Sequence, residues 1–327
     1  MKAVHLLNSL KYGGGENVAY NYAEILTKMG VESTFVGRHS SEDYEKKIAT
    51  IGVVEYRCSC KILKEAQFIF VHSNVNLLRL LWYKMFPLGW NKKKVIYIQH
   101  LNYSHVKFLL LSVLINLICT DFIQITPITT KYVSRYIKIN VDFIVNFYRN
   151  KYSESEWPAL RNEVREQLGI EAQQTVITFS SVLKPGKNIG EFLDLASQMQ
   201  QFKNITFLVI GDGIESDLVK KYQGKNLIWV GFVNDVEKYL VASDIYVFLS
   251  KVEMMPMALI EAVNTNKYIA CYKTEVNDFI LNGHTFVKID ASVMCKNILP
   301  CGSGLRHYDT EYAFDQISKL LCLNLKA

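Results

Sequence analysis

The chain has 327 residues, half of them hydrophobic and 21% charged, with a formal net charge of +6. That length asks for two domains and that composition supplies ordinary cores, which excludes a disordered, collagenous or repeat-built chain. Seven cysteines lie at spacings that match no zinc site, and a chain this long and apolar needs no disulfide framework, so they read as buried, reduced thiols of a cytosolic protein.

The N-terminus, MKAVHLLNSLKYGGGE, lacks the long apolar core of a secretory signal and reads as a first strand, AVHLL (3–7). Gly13, Gly14 and Gly15 follow, and Glu16 opens an amphipathic helix, ENVAYNYAEILTKMG, that ends at Gly30. Consecutive glycines let backbone N–H groups approach a phosphate at a helix N-terminus. The spacing is not that of dinucleotide enzymes, and a tight turn that needs only glycine's conformational freedom fits the same residues.

Four more apolar runs of strand length follow in the first half: STFVG (33–37), FIFVH (68–72), VIYIQH (95–100) and FIQIT (122–126). His72 and His100 end two of them, where strand ends face a crevice; a buried structural histidine fits His72 as well. Residues 77–94, LLRLLWYKMFPLGWNKKK, mix leucine and aromatic residues with Arg79, Lys84 and Lys92–Lys94. This suits either a surface helix against an anionic membrane or a helix packed in the core. The run 108–118 is too short to span a bilayer and is expected to be a buried helix.

A boundary is expected near 147–160, where FYRNKYSESEWP ends at Pro158 before a helix, ALRNEVREQLG, closed by Gly169. Beyond it lie TVITFS (175–180), ITFLVIG (205–211), LIWVG (227–231), IYVFLS (245–250) and YIACY (268–272). Strands this apolar on both faces, alternating with helical patterns, predict doubly wound parallel sheets. The expected fold class is therefore α/β, with two Rossmann-like domains over 1–150 and 151–308. A final helix at about 309–324 is expected to return to the first domain, and 291–308 gives no reading. A ligand is expected in a crevice at the carboxyl ends of the strands.

Charge is uneven along the chain. Residues 1–150 carry 19 Lys and Arg against 10 Asp and Glu, and the remainder carries 18 against 21. The basic half suits a membrane surface or a phosphorylated acceptor; a solvated basic face is the plainer reading. Nothing points to nucleic acid.

The second half reads, in order, FSSVLKPGKNI (179–189), FLVIGDG (207–213), VGFVND (230–235), ASDIYVFLS (242–250) and EMMPMALIEA (253–262). These words, with GGGENVAYNYAEIL near the N-terminus, resemble the retaining GT-B glycosyltransferases of the GT4 family, from about residue 8 to 290. Their most specific part is Glu253 and Glu261, followed directly by Ala262. On physical grounds Pro256 belongs in the first turn of a helix, leaving Glu253 in the loop and Glu261 in the helix. That helix N-terminus would face an anion with a carboxylate on either side, and carboxylates accept hydrogen bonds from sugar hydroxyls.

The resemblance implies a nucleotide-diphosphate sugar as donor and a glycan or lipid-linked acceptor, in surface-polysaccharide synthesis. It implies that Glu261 holds the ribose, Glu253 meets the transferred sugar, and Lys187 neutralises the diphosphate. Phe232 and Val233 fall at the nucleobase, Met255 and Met257 at the diphosphate, with the Gly14–Gly15 loop beside it. His100 matches the family's cleft histidine, and Asn146 a hinge-side Asn-Gly in which Phe147 replaces glycine. Three departures stand out: Val182 replaces an arginine, Met254 replaces a glycine, and KTEVNDF (273–279) lacks a Gly-Gly.

The sequence contains no D-x-D, so no metal and no other cofactor is expected. The resemblance implies transfer with retention, the acceptor hydroxyl attacking from the side of the leaving diphosphate. Two alternatives stand beside an active enzyme at the inner face of the cell membrane. One is a nucleotide-sugar-binding partner subunit without catalysis, and the other a GT-B nucleotide-sugar epimerase.

Overall fold

A computed structural model describes residues 1–222, 224–281, 317 and 319–321. The chain forms two compact units, one of Met1–Phe147 with the described residues of the C-terminal stretch, the other beginning at Tyr148.

In the first unit the chain runs β1 (Lys2–Leu6), α1 (Gly14–Lys28), β2 (Glu32–Val36), α2 (Glu42–Ile48), β3 (Gly52–Glu55), α3 (Cys60–Glu65) and β4 (Phe68–Val71). It continues through α4 (Asn74–Tyr83), β5 (Lys94–Ile98), α5 (His105–Ile118), β6 (Asp121–Gln124), α6 (Thr130–Tyr136) and β7 (Asn140–Phe143). The seven strands lie in the order β3-β2-β1-β4-β5-β6-β7, and every pairing is parallel.

The second unit holds α7 (Trp157–Gln167), β8 (Thr175–Ser180), α8 (Ile189–Gln198), β9 (Ile205–Ile210), α9 (Ser216–Lys220) and β10 (Leu227–Trp229). After these come α10 (Val236–Ala242), β11 (Ile245–Phe248), α11 (Met257–Asn264), β12 (Tyr268–Cys271) and α12 (Glu275–Ile280). Its sheet is also parallel, in the order β10-β9-β8-β11-β12. All ten strands expected from the sequence are present, because their Val, Ile and Phe residues are covered on both faces.

Several expectations need correction. β3 and β7 were not anticipated: they are the edge strands of the first sheet, and residues of each are solvent-exposed, so neither reads as a continuous apolar run. α1 starts at Gly14, not Glu16, so two of the three glycines form its first turn. None of the three has a positive φ, so a turn that needs glycine's conformational freedom does not explain them.

Residues 77–94 are not one helix. α4 ends at Tyr83, a 3₁₀ turn spans Trp90–Lys92, and Lys94 begins β5. The buried helix expected at 108–118 is buried along one stripe only. Phe108, Leu111, Ser112, Ile115 and Ile118 face the core, while Val106, Leu109, Leu110, Val113 and Leu117 are exposed.

α7 begins at Trp157 and takes Pro158 into its first turn, where a missing N–H costs nothing. Arg161 and Arg165 on this helix both pair with Asp244, which also accepts the Val176 N–H, fastening α7 to β8 and the start of β11. Of the expected terminal helix, Ile317, Lys319, Leu320 and Leu321 are described and helical, and Lys94 Nζ donates to the Leu320 carbonyl. The rest of 309–324, and 291–308, lie outside the described residues.

Candidate functional site

In an open parallel sheet, neighbouring strands whose connections leave in opposite directions open a crevice at their carboxyl ends. In the second unit that point lies between β8 and β11. The loop after β8 carries Lys187 and the loop after β11 carries Glu253, and the two side chains form an ion pair, Lys187 Nζ to Glu253 Oε1. Both are half-buried.

The loop geometry is fixed by backbone that few residues tolerate. Gly186 has φ +89° and Asn188 φ 61°, so the chain reverses just before α8. Asn188 Nδ2 then donates to the Leu249 carbonyl at 2.8 Å, tying this loop to the end of β11. At Gly211, in the loop after β9, φ is +124° and a Cβ would stand 1.9 Å from the Ser181 carbonyl oxygen. At Gly213 it would stand 2.3 Å from the Leu183 oxygen, so the glycines of FLVIGDG let two loops lie backbone against backbone. Gly211 N–H donates to the Gly231 carbonyl at 2.7 Å, which brings in the loop carrying Phe232 and Val233.

Phe232 is exposed, whereas Val233 packs on the small cluster of Ile170, Val176, Leu208 and Ile210. Val182, where the resemblance expects arginine, is half exposed. Pro256 is the residue that caps α11, one place before the helical turn expected for it, and Glu261 lies in the helix. Met254, Met255 and Met257 are all buried. Their side chains pack inward.

Two tyrosines of this region were not singled out from the sequence. The Tyr246 hydroxyl donates to the Ser180 carbonyl at 3.1 Å; burial, then the charges of Glu261 and Glu253, hold its phenol well above the ordinary value. Tyr148 donates to Glu237 Oε2 at 2.9 Å, and burial followed by the Glu261 charge raises it as well. The two glutamates thus share one electrostatic neighbourhood around Tyr246. A hydroxyl-bearing aromatic inside the apolar strand IYVFLS is the sequence signal for it.

The corresponding point of the first sheet lies between β1 and β4. Gly15, in the first turn of α1, faces the His100 ring, where an added Cβ would stand 3.6 Å from Cδ2; at Gly14 a Cβ would meet nothing within 4 Å. Glu16, third residue of α1, curls back over Gly13, whose Cβ would stand 2.4 Å from Oε2. Burial raises this carboxyl, and Ser9 Oγ donates to it at 3.2 Å. Glu16 therefore already places an acidic group at this helix N-terminus. His100 lies within one unit with the glycines, and Lys187, Glu253 and Glu261 within the other.

Comparison with known proteins adds an independent view. The family model described as Glycosyl transferases group 1 matches residues 161–285, which hold the β8–β11 crevice with Lys187, Glu253 and Glu261. The chain is 32% identical over 131 residues to the Escherichia coli UDP-Gal:alpha-D-GlcNAc-diphosphoundecaprenol alpha-1,3-galactosyltransferase, covering 37% of this chain and 33% of that protein. It is 25% identical over 155 residues to the alpha-galactosylglucosyldiacylglycerol synthase of Streptococcus pneumoniae, covering 43% and 41%. The chain thus spans well under half the length of these two relatives.

Among solved structures, Anabaena Alr3699/HepE in complex with UDP and glucose matches with a TM-score of 0.77 at 17% identity, over 99% of this chain and 100% of that one. WaaG, a glycosyltransferase involved in lipopolysaccharide biosynthesis, matches with a TM-score of 0.63 at 13% identity, over 90% of each. At such identities the likeness establishes the fold, and that fold is GT-B.

Proposed function

We propose that this protein transfers a hexose from a UDP-sugar to a lipid-borne acceptor, with retention at the anomeric carbon and without a metal. The observation that carries the reading is the Lys187–Glu253 pair across the β8–β11 crevice, with Glu261 on the helix that follows. The pair is partly open to solvent, so a bound diphosphate can take the place of the carboxylate beside Lys187 and keep the ammonium paired. Glu253, released, can accept hydrogen bonds from the hydroxyls of the sugar.

In the step proposed, the acceptor oxygen bonds to the anomeric carbon as the bond to the diphosphate oxygen breaks. The acceptor hydroxyl gives its proton to the departing diphosphate, whose charge Lys187 and the backbone amides at 254–258 stabilise. A UDP-galactose donor is the first to test, since the E. coli relative is named for UDP-Gal. Lipid-borne acceptors follow from the diphosphoundecaprenol and diacylglycerol in the two relatives' names.

A membrane contact belongs to the same reading, on a broader face than 77–94. α4 exposes Leu78 and Trp82, the turn just after it exposes Met85, and the neighbouring α5 exposes Val106, Leu110, Val113 and Leu117. Lys84 Nζ reaches the Leu117 carbonyl at 3.4 Å. From residue 66 to 141 the sequence has nine Lys and Arg and a single acid, Asp121, which is buried. No helix among the described residues is long and apolar enough to cross a membrane, so contact would be interfacial.

The experiment is a thermal-shift panel of UDP-, GDP-, CMP- and dTDP-sugars on wild type and Glu261→Ala, followed by transfer assays with the donor that binds. A ligand at 100 times its Kd raises stability by about 2.7 kcal/mol. A shift with a UDP-sugar that is lost in Glu261→Ala, with transfer to a lipid-borne acceptor, is the expected result. Donor binding without turnover would favour the partner-subunit reading, and donor conversion without acceptor an epimerase. No shift with any donor would overturn the site.

A further inference from the structure

Three histidines from separate parts of the first half meet in the first unit. His5 lies on β1, His72 directly after β4, and His100 two residues after β5. His5 Nδ1 is 3.1 Å from His72 Nε2, and His72 Nδ1 is 2.9 Å from His100 Nε2. Ring centroids are 5.4 and 5.2 Å apart with interplanar angles of 29° and 11°. In both pairs the centroids are separated by the N···N distance plus close to two ring radii. The rings therefore meet edge to edge and nearly coplanar, so that an N–H of one points along the in-plane lone pair of the next.

The far end of this series is closed. His5 is fully buried, with Phe35 and Phe70 stacked on either side at 5.1 and 4.9 Å. Its Nε2 has no hydrogen-bond partner among the described residues. His100, half-buried beside Gly15, ends the series on the other side, and no described residue bonds its Nδ1.

A neutral imidazole has one N–H and one lone pair, so two arrangements fill both contacts. If every proton sits on Nε2, the series runs inward and buries an N–H of His5 without an acceptor. If every proton sits on Nδ1, it runs outward and buries only a lone pair. Orphaned buried N–H groups are the rarer and costlier of the two. Burial holds all three rings neutral at pH 7, which removes the third arrangement, an imidazolium at His72 donating both ways.

We infer that His5, His72 and His100 form one outward-directed hydrogen-bonded chain in which each carries its proton on Nδ1. His100 then presents an N–H to a ligand oxygen and has no lone pair left for use as a base. His72 is a positioning residue that sets this tautomer, and His5 positions His72. The tautomer assignment stands on the geometry of the three rings. Only the use His100 makes of its proton rests on the proposed transfer reaction.

Proton-detected two-bond ¹H–¹⁵N correlation of ¹⁵N-histidine-labelled full-length protein at pH 7, without nucleotide, tests it directly. All three imidazoles are expected to show the Nδ1–H pattern. His72→Asn places an amide N–H where Nδ1–H stood and should leave His100 unchanged. His72→Asp places an acceptor there and should turn His100 to Nε2–H or to imidazolium. Nε2–H signals from His100 in wild type, or a His100 tautomer indifferent to His72→Asp, would overturn the inference. Because no sugar donor is involved, failure here is distinct from failure of the transferase reading.

Discussion

His5 couples the interior of the first unit to solution pH. Burial pushes its imidazole down to about 3 from the ordinary 6.5, so the folded state takes up this proton only near pH 3. The unfolded chain takes it up below about 6.5. Between these values the unfolded state holds more protons, and stability must fall as pH falls. At about 1.4 kcal/mol per pH unit, His5 alone costs roughly 2 kcal/mol between pH 6.5 and 5. His5→Phe, flanked by Phe35 and Phe70, removes the titration at the expense of one hydrogen bond to His72. Its melting temperature should therefore decline less steeply than that of wild type from pH 7 to 5, and parallel curves would contradict the assignment.

Lys187 and Glu261 should separate in kinetics. Under the proposed reaction Lys187 meets charge that grows on the departing diphosphate, so Lys187→Met should lower kcat by about 100- to 1,000-fold while donor affinity changes less. Glu261 would hold the ribose equally in ground and transition states. Glu261→Ala should weaken donor binding roughly 10- to 100-fold, the cost of hydrogen bonds to a charged group, with kcat little altered once the donor is saturating. Equal effects of both substitutions on Kd, measured calorimetrically, would refute this division of roles.

At the scale of elements, the sequence showed best what burial enforces on both faces. β8 reads TVITFS and was placed to the residue, because every position carries a strand-forming or small side chain between two layers of helix. β3 and β7 escaped because an edge strand may carry Glu55, Asn140 and Asp142 without penalty. Pairings that depend on strand order were invisible: His5, His72 and His100 meet only because β1, β4 and β5 are neighbours in the sheet. Glu253 and Glu261 were legible by resemblance, whereas the Lys187–Glu253 pair needed the crossing point between β8 and β11. α5 misled for a different reason. An apolar residue at nearly every position hides which stripe is buried, and a uniformly apolar helix is read as core. Its outer stripe is open to a direct test. Leu110→Asp with Val113→Asp touches exposed positions, so thermal stability should stay within about 0.5 kcal/mol of wild type per substitution. Binding to vesicles containing anionic phospholipid should fall by tenfold or more, since one leucine buried in lipid contributes about 1.5–3 kcal/mol. Unchanged binding would remove α5 from the contact.

For the whole chain the decisive quantity is where charge sits rather than its sum. The net of +6 is modest, but residues 1–150 carry 19 bases against 10 acids, and the stretch 66–141 holds nine of those bases with one buried acid. A membrane that attracts each nearby Lys or Arg by about 1 kcal/mol would therefore draw on the first half of the chain. The remainder, with 18 bases and 21 acids, would contribute nothing or repel. Two forces then act with different ranges. Attraction to anionic headgroups is screened as the Debye length shortens from about 30 Å at 0.01 M salt to about 8 Å at 0.15 M. Burial of Trp82, Met85, Leu110 and Val113 is insensitive to such salt. Vesicle co-sedimentation across that range should show binding that falls steeply and then levels at a salt-resistant remainder. The remainder should fall tenfold or more in the Leu110→Asp, Val113→Asp protein, while the salt-dependent part persists. Binding to neutral phosphatidylcholine should show the remainder alone. A protein that ignored both salt and lipid charge would show that the basic stretch is only a solvated face, and no binding to anionic vesicles even at 0.01 M salt would end the membrane reading.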